Sequence, residues 1–262
     1  MDDSATAVVK LETQQGNVAL VTINRPEARN AVNGAVAVAL EAILKQTERD
    51  ADVWTVALTG AGGKVFCAGA DLKEVAQGRI QSLMTPDGGF AGFVHAKRTK
   101  PWIAAVEGMA LAGGCELALA CDLIVATEGG AFGLPEVMRG LMASAGGLYR
   151  LPRALPRGVA LDLILTAERL PAERAAALGM VSRLAPAGRA VETALQLARA
   201  INQNAPLAVR ESLAIARRAY DLTDAELRQL SEEGQDRLQR TEDLLEGARA
   251  FVEKRAPVWK GR

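Results

Sequence analysis

The run Met109-Ala110-Leu111-Ala112-Gly113-Gly114-Cys115-Glu116-Leu117-Ala118-Leu119-Ala120-Cys121-Asp122 constrains this chain more than any other. Two glycines precede a helical stretch that is apolar from Cys115 to Cys121 except for one carboxylate, Glu116. Such a helix must be buried, and a buried carboxylate needs partners or a shifted proton affinity. Twenty residues on, Ala131-Phe132-Gly133-Leu134-Pro135-Glu136-Val137 sets a second glutamate among apolar neighbours. Two carboxylates that share an apolar pocket suit acid/base chemistry on an uncharged substrate, because desolvation moves their proton affinities towards neutrality.

A chain of 262 residues holds one large domain or a core plus an appendage. Lys+Arg and Asp+Glu both total 31, so no net field favours nucleic acid or an anionic membrane. The start, Met1-Asp2-Asp3-Ser4, lacks the basic and apolar parts of a secretory signal, and no stretch of 18 uncharged apolar residues occurs. The expectation is a cytoplasmic protein that neither spans nor binds a membrane. Cys67, Cys115 and Cys121 are odd in number and lack metal-type spacing, so they read as small buried residues in a reducing compartment. A Cys115 thiolate would need an activating base, and the single histidine, His95, reads as structural or surface.

Val8–Glu12 and Val18–Ile23 read as strands joined around Gly16-Asn17. Val36, Leu40, Ile43, Leu44 and Thr47 recur at helical spacing, and Val53–Thr59 is a β-branched strand. The loop after it, Gly60-Ala61-Gly62-Gly63, lacks the Lys-Ser/Thr of a phosphate-binding loop. Trp102–Val106 and Leu123–Ala126 are further strands, and their alternation with helices predicts a layered α/β core. Residues 73–100 read as a mobile helix-and-loop region broken at Pro86-Asp87-Gly88-Gly89. From Gly188 onward, residues 188–203, 206–220 and 223–253 carry helical periodicity without a strand, which puts a boundary near Ala187. The apolar positions Leu207, Leu213, Leu227, Leu230 and Leu238 exceed what one small helical layer hides.

A third segment, Phe66-Cys67-Ala68-Gly69-Ala70-Asp71-Leu72-Lys73-Glu74, completes a pattern with the two glutamate runs. In this order and spacing the three resemble the crotonase (enoyl-CoA hydratase/isomerase) superfamily, from about Val18 to Gly261. The resemblance implies an α/β crotonase (ClpP-like) fold. Residues 1–187 would form a spiral core of repeated ββα units, and residues 188–262 a C-terminal helical trimerisation region. It further implies a homotrimer or dimer of trimers acting on a coenzyme A thioester. No metal, flavin or nicotinamide is implied, and coenzyme A enters only with the substrate.

By the same resemblance, the backbone N–H groups of Ala70 and Gly113 form an oxyanion hole for a thioester enolate. Glu116 activates the water and Glu136 supplies the proton to the α-carbon. Ala28, Ala68, Ala70, Asp71, Leu72 and Gly113 border the coenzyme A, with Arg25 near the adenine end and Lys73 within reach of a phosphate. Keeping both glutamates points to an enoyl-CoA hydratase that adds water to a trans-2-enoyl-CoA or runs the reverse. The alternatives are a double-bond isomerase, a carnitinyl-CoA dehydratase-like enzyme, and a crotonase-fold scaffold without turnover. Two departures stand out: Ala112 replaces the first of a common triple glycine, and Leu141–Gly147 lacks a common proline before its glycines. Gly89–Phe93 and Gly147–Pro152 look somewhat like carnitinyl-CoA dehydratases and related bacterial hydratases.

Overall fold

The computed structural model describes residues 7–262. Val9–Gln14 (β1) and Val18–Ile23 (β2) pair antiparallel around Gly16-Asn17, with Val9 opposite Ile23, as the hairpin reading predicts. Helix Gly34–Arg49 (α1) follows, its first turn capped by Asn33, whose side chain accepts the Val36 N–H at 3.0 Å. Val36, Leu40, Leu44 and Thr47 fall on its buried stripe, and Ile43 flanks it.

The chain then repeats one move. Strand Thr55–Gly60 (β3) passes into Val65–Cys67 (β4) and helix Leu72–Ala76 (α2). After the small hairpin Met84–Thr85 (β5) and Gly89–Phe90 (β6), strand Trp102–Val106 (β7) passes into Met109–Leu111 (β8) and helix Gly113–Ala120 (α3). Leu123–Thr127 (β9) passes into Ala131–Gly133 (β10), the 3-10 turn Pro135–Arg139 and helix Gly147–Ala154 (α4). Helix Arg157–Thr166 (α5), strand Leu170–Pro171 (β11), helix Ala172–Ala177 (α6) and strand Arg183–Ala185 (β12) complete the mixed part. Helices Ala190–Asn202 (α7), Pro206–Ala216 (α8), Asp224–Leu238 (α9) and Glu242–Glu253 (α10) end it.

The first strand of each unit joins a six-stranded sheet ordered β1-β2-β3-β7-β9-β12, and the second joins a four-stranded sheet ordered β11-β10-β8-β4. Successive units pair in parallel in both sheets. The chain therefore winds as a spiral of ββα turns, the crotonase fold expected from the sequence. The large sheet is apolar on both faces, as parallel strands covered on both sides must be. One face, with Val21, Leu58, Ala104 and Val106, meets the main core. The other, with Val18, Ala57, Ile103 and Val125, meets Ala190, Ala194 and Ala198 of α7. Alanine at every fourth position leaves a smooth stripe on which a helix lies close to a sheet.

Two readings change. Residues 73–100 are not helix and loop throughout: β5 and β6 pair as a hairpin around Pro86–Gly88, and Leu83, Phe90, Ala91, Phe93 and Val94 are buried. Phe93 packs edge-on against Trp102, with ring centroids 4.9 Å apart, which gives this segment a place in the core. The 223–253 periodicity is two helices, because Thr241 accepts the Leu244 N–H at 3.3 Å and starts α10 afresh. The strands of the small sheet escape a sequence reading, since runs of two or three residues show no alternation. Leu207, Leu213, Leu227, Leu230 and Leu238 are partly buried, while Phe251 and Val252 of α10 stand 87% and 79% exposed. Among the described residues no helix is long and apolar enough to cross a membrane.

Candidate active site

Each turn of the spiral sets one candidate residue at the same end of the four-stranded sheet. Ala70 follows the end of β4, Gly113 the end of β8, and Glu136 the end of β10. Because these strands run parallel, the three positions share one edge, although the sequence spreads them over nearly seventy residues.

Backbone packing holds the first two together. The segment around Ala70 is laced to residues 29–32 by Ala68 N–H to Arg29 O (3.1 Å), Val32 N–H to Gly69 O (2.8 Å) and Asp71 N–H to Val32 O (2.8 Å). A side chain added at Gly69 would start 2.9 Å from the Gly113 nitrogen, so the two chain segments touch. A Cβ on Gly114 would meet the Cys67 carbonyl oxygen at 2.0 Å, which is why α3 must open on glycine. Among the described residues neither the Ala70 nor the Gly113 N–H donates to a protein acceptor. Ala112, just before, has φ 51° and ψ −130°, a conformation glycine adopts freely and alanine rarely does. Its N–H donates to Gly133 O at 2.9 Å, tying the end of β8 to that of β10.

Glu116 lies on the second turn's helix, 3% exposed, and its Oε1 accepts the Gly147 N–H at 2.8 Å. Burial pushes its proton affinity up to about 7, the Gly147 N–H pulls it down, and the nearby Glu136 charge pushes it up again. Glu136 is half-buried in its 3-10 turn, and burial raises its proton affinity as well, against the opposing pull of a backbone N–H and of Arg139. Its Oε2 is buried and has no hydrogen-bond partner among the described residues. An unpartnered buried carboxyl oxygen is unstable as an anion and suits a proton or a ligand. Glu116 therefore stands in the field of Glu136 from the adjacent turn and changes protonation near neutral pH, and burial raises the proton affinity of Glu136 in the same direction.

The remaining predicted positions gather on the same side. Ala28 and Ala68 are half-buried along the laced segment, and Leu72 and Lys73 are exposed. Asp71 is committed within the chain: Arg25 Nη2 lies 3.0 Å from its Oδ2, and its Oδ1 accepts the Lys73 N–H that starts α2. Arg25 also donates through Nη1 to Ala31 O at 2.6 Å. Burial pushes the Cys67 and Cys121 thiols up to about 12 and raises Cys115 too, so none is a thiolate at neutral pH. His95 is exposed and stands 3.2 Å from the Tyr149 hydroxyl rather than against either glutamate. Among the described residues no group of three or more His, Cys, Asp and Glu could hold a metal ion. Sequence reasoning did not single out Gly147, Arg150 or Phe90 as parts of the site. The motifs Gly89–Phe93 and Gly147–Pro152 contain all three.

Residues 13–262 match the sequence profile of the enoyl-CoA hydratase/isomerase family. This chain belongs to that family. It is 36% identical over 255 residues to the carnitinyl-CoA dehydratase of Proteus mirabilis, an alignment covering 95% of this chain and 97% of that one. The enoyl-CoA hydratase of Mycobacterium tuberculosis H37Rv superposes with a TM-score of 0.93 at 44% identity, covering 98% of this chain and all of that one. A carnitinyl-CoA hydratase of Mycobacterium avium is 48% identical with a TM-score of 0.77, covering 98% and 99%. The crotonase resemblance read from three short segments thus extends along nearly the whole chain.

Proposed function

We propose that this chain is an enoyl-CoA hydratase, adding water reversibly across the double bond of a trans-2-enoyl-CoA to give the 3-hydroxyacyl-CoA. The observation that carries the reading is the paired state of Glu116 and Glu136: one buried and one half-buried, both with raised proton affinity, and one Glu136 oxygen without a hydrogen-bond partner among the described residues. In this reading ionised Glu116 takes a proton from water as the water oxygen bonds to the β-carbon. The electron pair of the double bond moves to the α-carbon and into the thioester carbonyl, whose oxygen is met by the Ala70 and Gly113 N–H groups. Neutral Glu136 then delivers its proton to the α-carbon. Dehydration runs the same steps backwards, with the roles of acid and base exchanged. Two donors aimed at the developing oxyanion lower the barrier by a few kcal/mol each, roughly, because they need no reorganisation.

Ala28, Ala68, Asp71 and Leu72 border the coenzyme A in this reading, on the segment that β4 and the residues after Arg25 lace together. Phe251, Val252, Leu244 and Leu245 support assembly as a homotrimer or dimer of trimers, since large apolar side chains exposed together on one helix invite association. Balanced charge and three buried free thiols support a cytoplasmic setting. The names of the relatives favour one neighbouring reading, a carnitinyl-CoA dehydratase, which is also a hydro-lyase but takes an acyl group bearing a quaternary ammonium. Crotonyl-CoA hydration, followed as loss of the conjugated-thioester absorbance, tests the proposal. Carnitinyl-CoA assayed beside it separates the two acyl classes. A double-bond isomerase would leave crotonyl-CoA unhydrated, and so would a scaffold without turnover.

A further inference from the structure

Arg150 sits on the first turns of α4, half-buried, where an arginine has no salt-bridge partner among the described residues. Its guanidinium instead donates to two backbone carbonyls from different parts of the fold. Nη1 reaches Ala145 O at 3.0 Å and Nη2 reaches Val94 O at 2.6 Å. Ala145 belongs to the loop whose next residues, Gly146 and Gly147, present the N–H that holds Glu116 Oε1. Val94 belongs to the buried segment whose Phe90 ring lies against Gly113, 2.5 Å from where a side chain there would begin. One side chain thus ties the loop that holds the first carboxylate to the segment that backs the oxyanion glycine.

The local sequence makes room for this tie. Gly146 has φ +118°, and a Cβ there would strike Arg150 Nη1 at 1.9 Å. The Tyr149 ring lies 5.0 Å from the guanidinium, and its hydroxyl meets His95 Nε2, a second link between α4 and the same segment. The charged and titratable groups around Glu116 are few. Glu136 faces it from the 3-10 turn, Cys115 adjoins it on α3, and Arg150 faces it from α4. Arg150 is the positive member, and its own surroundings are Tyr149, Glu116, Cys121 and Arg153. The burial that makes Glu116 a hard group to ionise therefore has one counterweight on a side chain.

We propose that Arg150 is a positioning residue for Glu116: its two-carbonyl fork fixes the Ala145–Gly147 backbone that holds the carboxylate, and its guanidinium is the cation on that side of the carboxylate. The proposal rests on the hydratase reading for its kinetic arm, and its spectroscopic arm stands without it. Arg150→Gln keeps a donor but removes the charge and the fork, whereas Arg150→Lys keeps the charge and loses the fork. Arg150→Gln lowers kcat by about 10- to 100-fold with KM changed less than about threefold, as displacement of a catalytic group does. It also moves the acid limb of the kcat/KM profile to higher pH, since losing a nearby cation disfavours the Glu116 anion. Arg150→Lys keeps the limb near its native position and loses about tenfold in kcat.

The Glu116 carboxyl band, isolated by infrared difference against Glu116→Gln on glutamate-labelled protein, reads the same titration without substrate. A higher midpoint in Arg150→Gln supports the proposal even where the wild type hydrates no enoyl-CoA, an outcome that overturns the hydratase reading alone. A native-like Arg150→Gln protein with an unmoved Glu116 midpoint and kcat within twofold of wild type overturns it. Where Arg150→Gln does not fold, Arg150→Lys decides: a tenfold loss in kcat at unchanged KM supports the fork, and kcat within twofold removes it.

Discussion

The strand ends that carry the candidate site and the helices that close the chain hold together by opposite means. At the site, backbone meets backbone: Gly114 on the Cys67 carbonyl, Gly69 beside the Gly113 nitrogen, Ala112 hydrogen-bonded to Gly133. Nothing there has slack, because each contact is set by atoms that no rotamer can move. In α8, α9 and α10 the fully buried residues are few: Pro206, Gly234, Asp243 and Ala250. Side-chain pairs on the surface contribute instead: Arg237 with Glu211 joins α9 to α8, and Arg255 with Glu246 ties the chain after α10 back onto that helix. Exposed ion pairs add little stability, so this region's large apolar side chains are better explained by a partner than by the chain itself. The first region predicts sharp losses on small changes, and the second predicts changes in mass rather than in fold.

The largest effects belong to the two glutamates. Glu116→Gln and Glu136→Gln should each lower hydration turnover by at least ~100-fold, the usual size for a lost general acid or base. The double variant should fall far short of the product of the two, because the carboxyls act as a unit. Near-normal turnover in either single variant would break the two-carboxylate mechanism. Glu116 also sets a pH dependence of stability. Its folded proton affinity near 7, against 4.5 for a free carboxyl, means that the folded chain binds more protons between those values. Stability falls as pH rises from about 4.5 through 7, and the full penalty is present above 7. Urea melts of Glu116→Gln should show a gain at pH 8, relative to its effect at pH 4.5, of roughly 3 kcal/mol. An equal effect at both pH values would mean that Glu116 is ionised as easily as a surface carboxylate.

Next in size is the oxyanion side. Gly113→Pro removes one backbone donor and should raise the barrier by roughly 3 kcal/mol while leaving thioester binding less affected. The far-UV circular dichroism must match the wild type, since Phe90 also packs on this residue. A folded variant with unchanged turnover would remove Gly113 from the oxyanion hole. For the closing helices the expected change is in mass. Light scattering at micromolar concentration should give at least three times the 27.6 kDa of one chain. Phe251→Ser with Val252→Ser should lower that mass while leaving the circular dichroism spectrum in place. A wild-type mass of one chain would rule out the trimer, and the contrast between the two regions would need another cause.

Much of this arrangement is legible in the chain because its long strands are apolar on both faces and its glycines stand beside carboxylates. The strands Trp102–Val106 and Leu123–Thr127 and the helix Gly34–Arg49 follow directly from periodicity. The three-segment pattern points to Ala70, Gly113, Glu116 and Glu136, and the fold brings the first, second and fourth to one sheet edge and the third onto the adjoining helix. What escapes is whatever depends on long-range backbone contact. Nothing in the residues near Arg150 says that its guanidinium will meet the Val94 carbonyl, 56 positions earlier. The burial of Phe90 and Phe93 likewise reflects a turn at Pro86–Gly89 that sends the chain inward, while composition alone favours a surface loop. Nor does periodicity separate α9 from α10, because Thr241 interrupts the helix without interrupting the apolar spacing.

The smallest expected effect tests whether the tight packing at the site tolerates its own strain. Ala112 holds φ 51° and ψ −130°, where a Cβ crowds its own backbone, at roughly 1–3 kcal/mol. Against that, its methyl group fills the space beside Gly69, where an added Cβ would lie only 2.8 Å away. Ala112→Gly relieves the strain, gives up that contact and adds conformational freedom to the unfolded chain, the last at about 0.5–1 kcal/mol. The strain is the larger quantity, so the variant should be more stable by about 1 kcal/mol in urea melts. Turnover should change by less than about threefold, because the Ala112 N–H to Gly133 and the Gly113 donor are backbone groups that the substitution leaves in place. A loss of stability would show that the methyl contact with Gly69 outweighs the strained backbone. In that case Ala112 would belong with the residues that clamp the two oxyanion segments together.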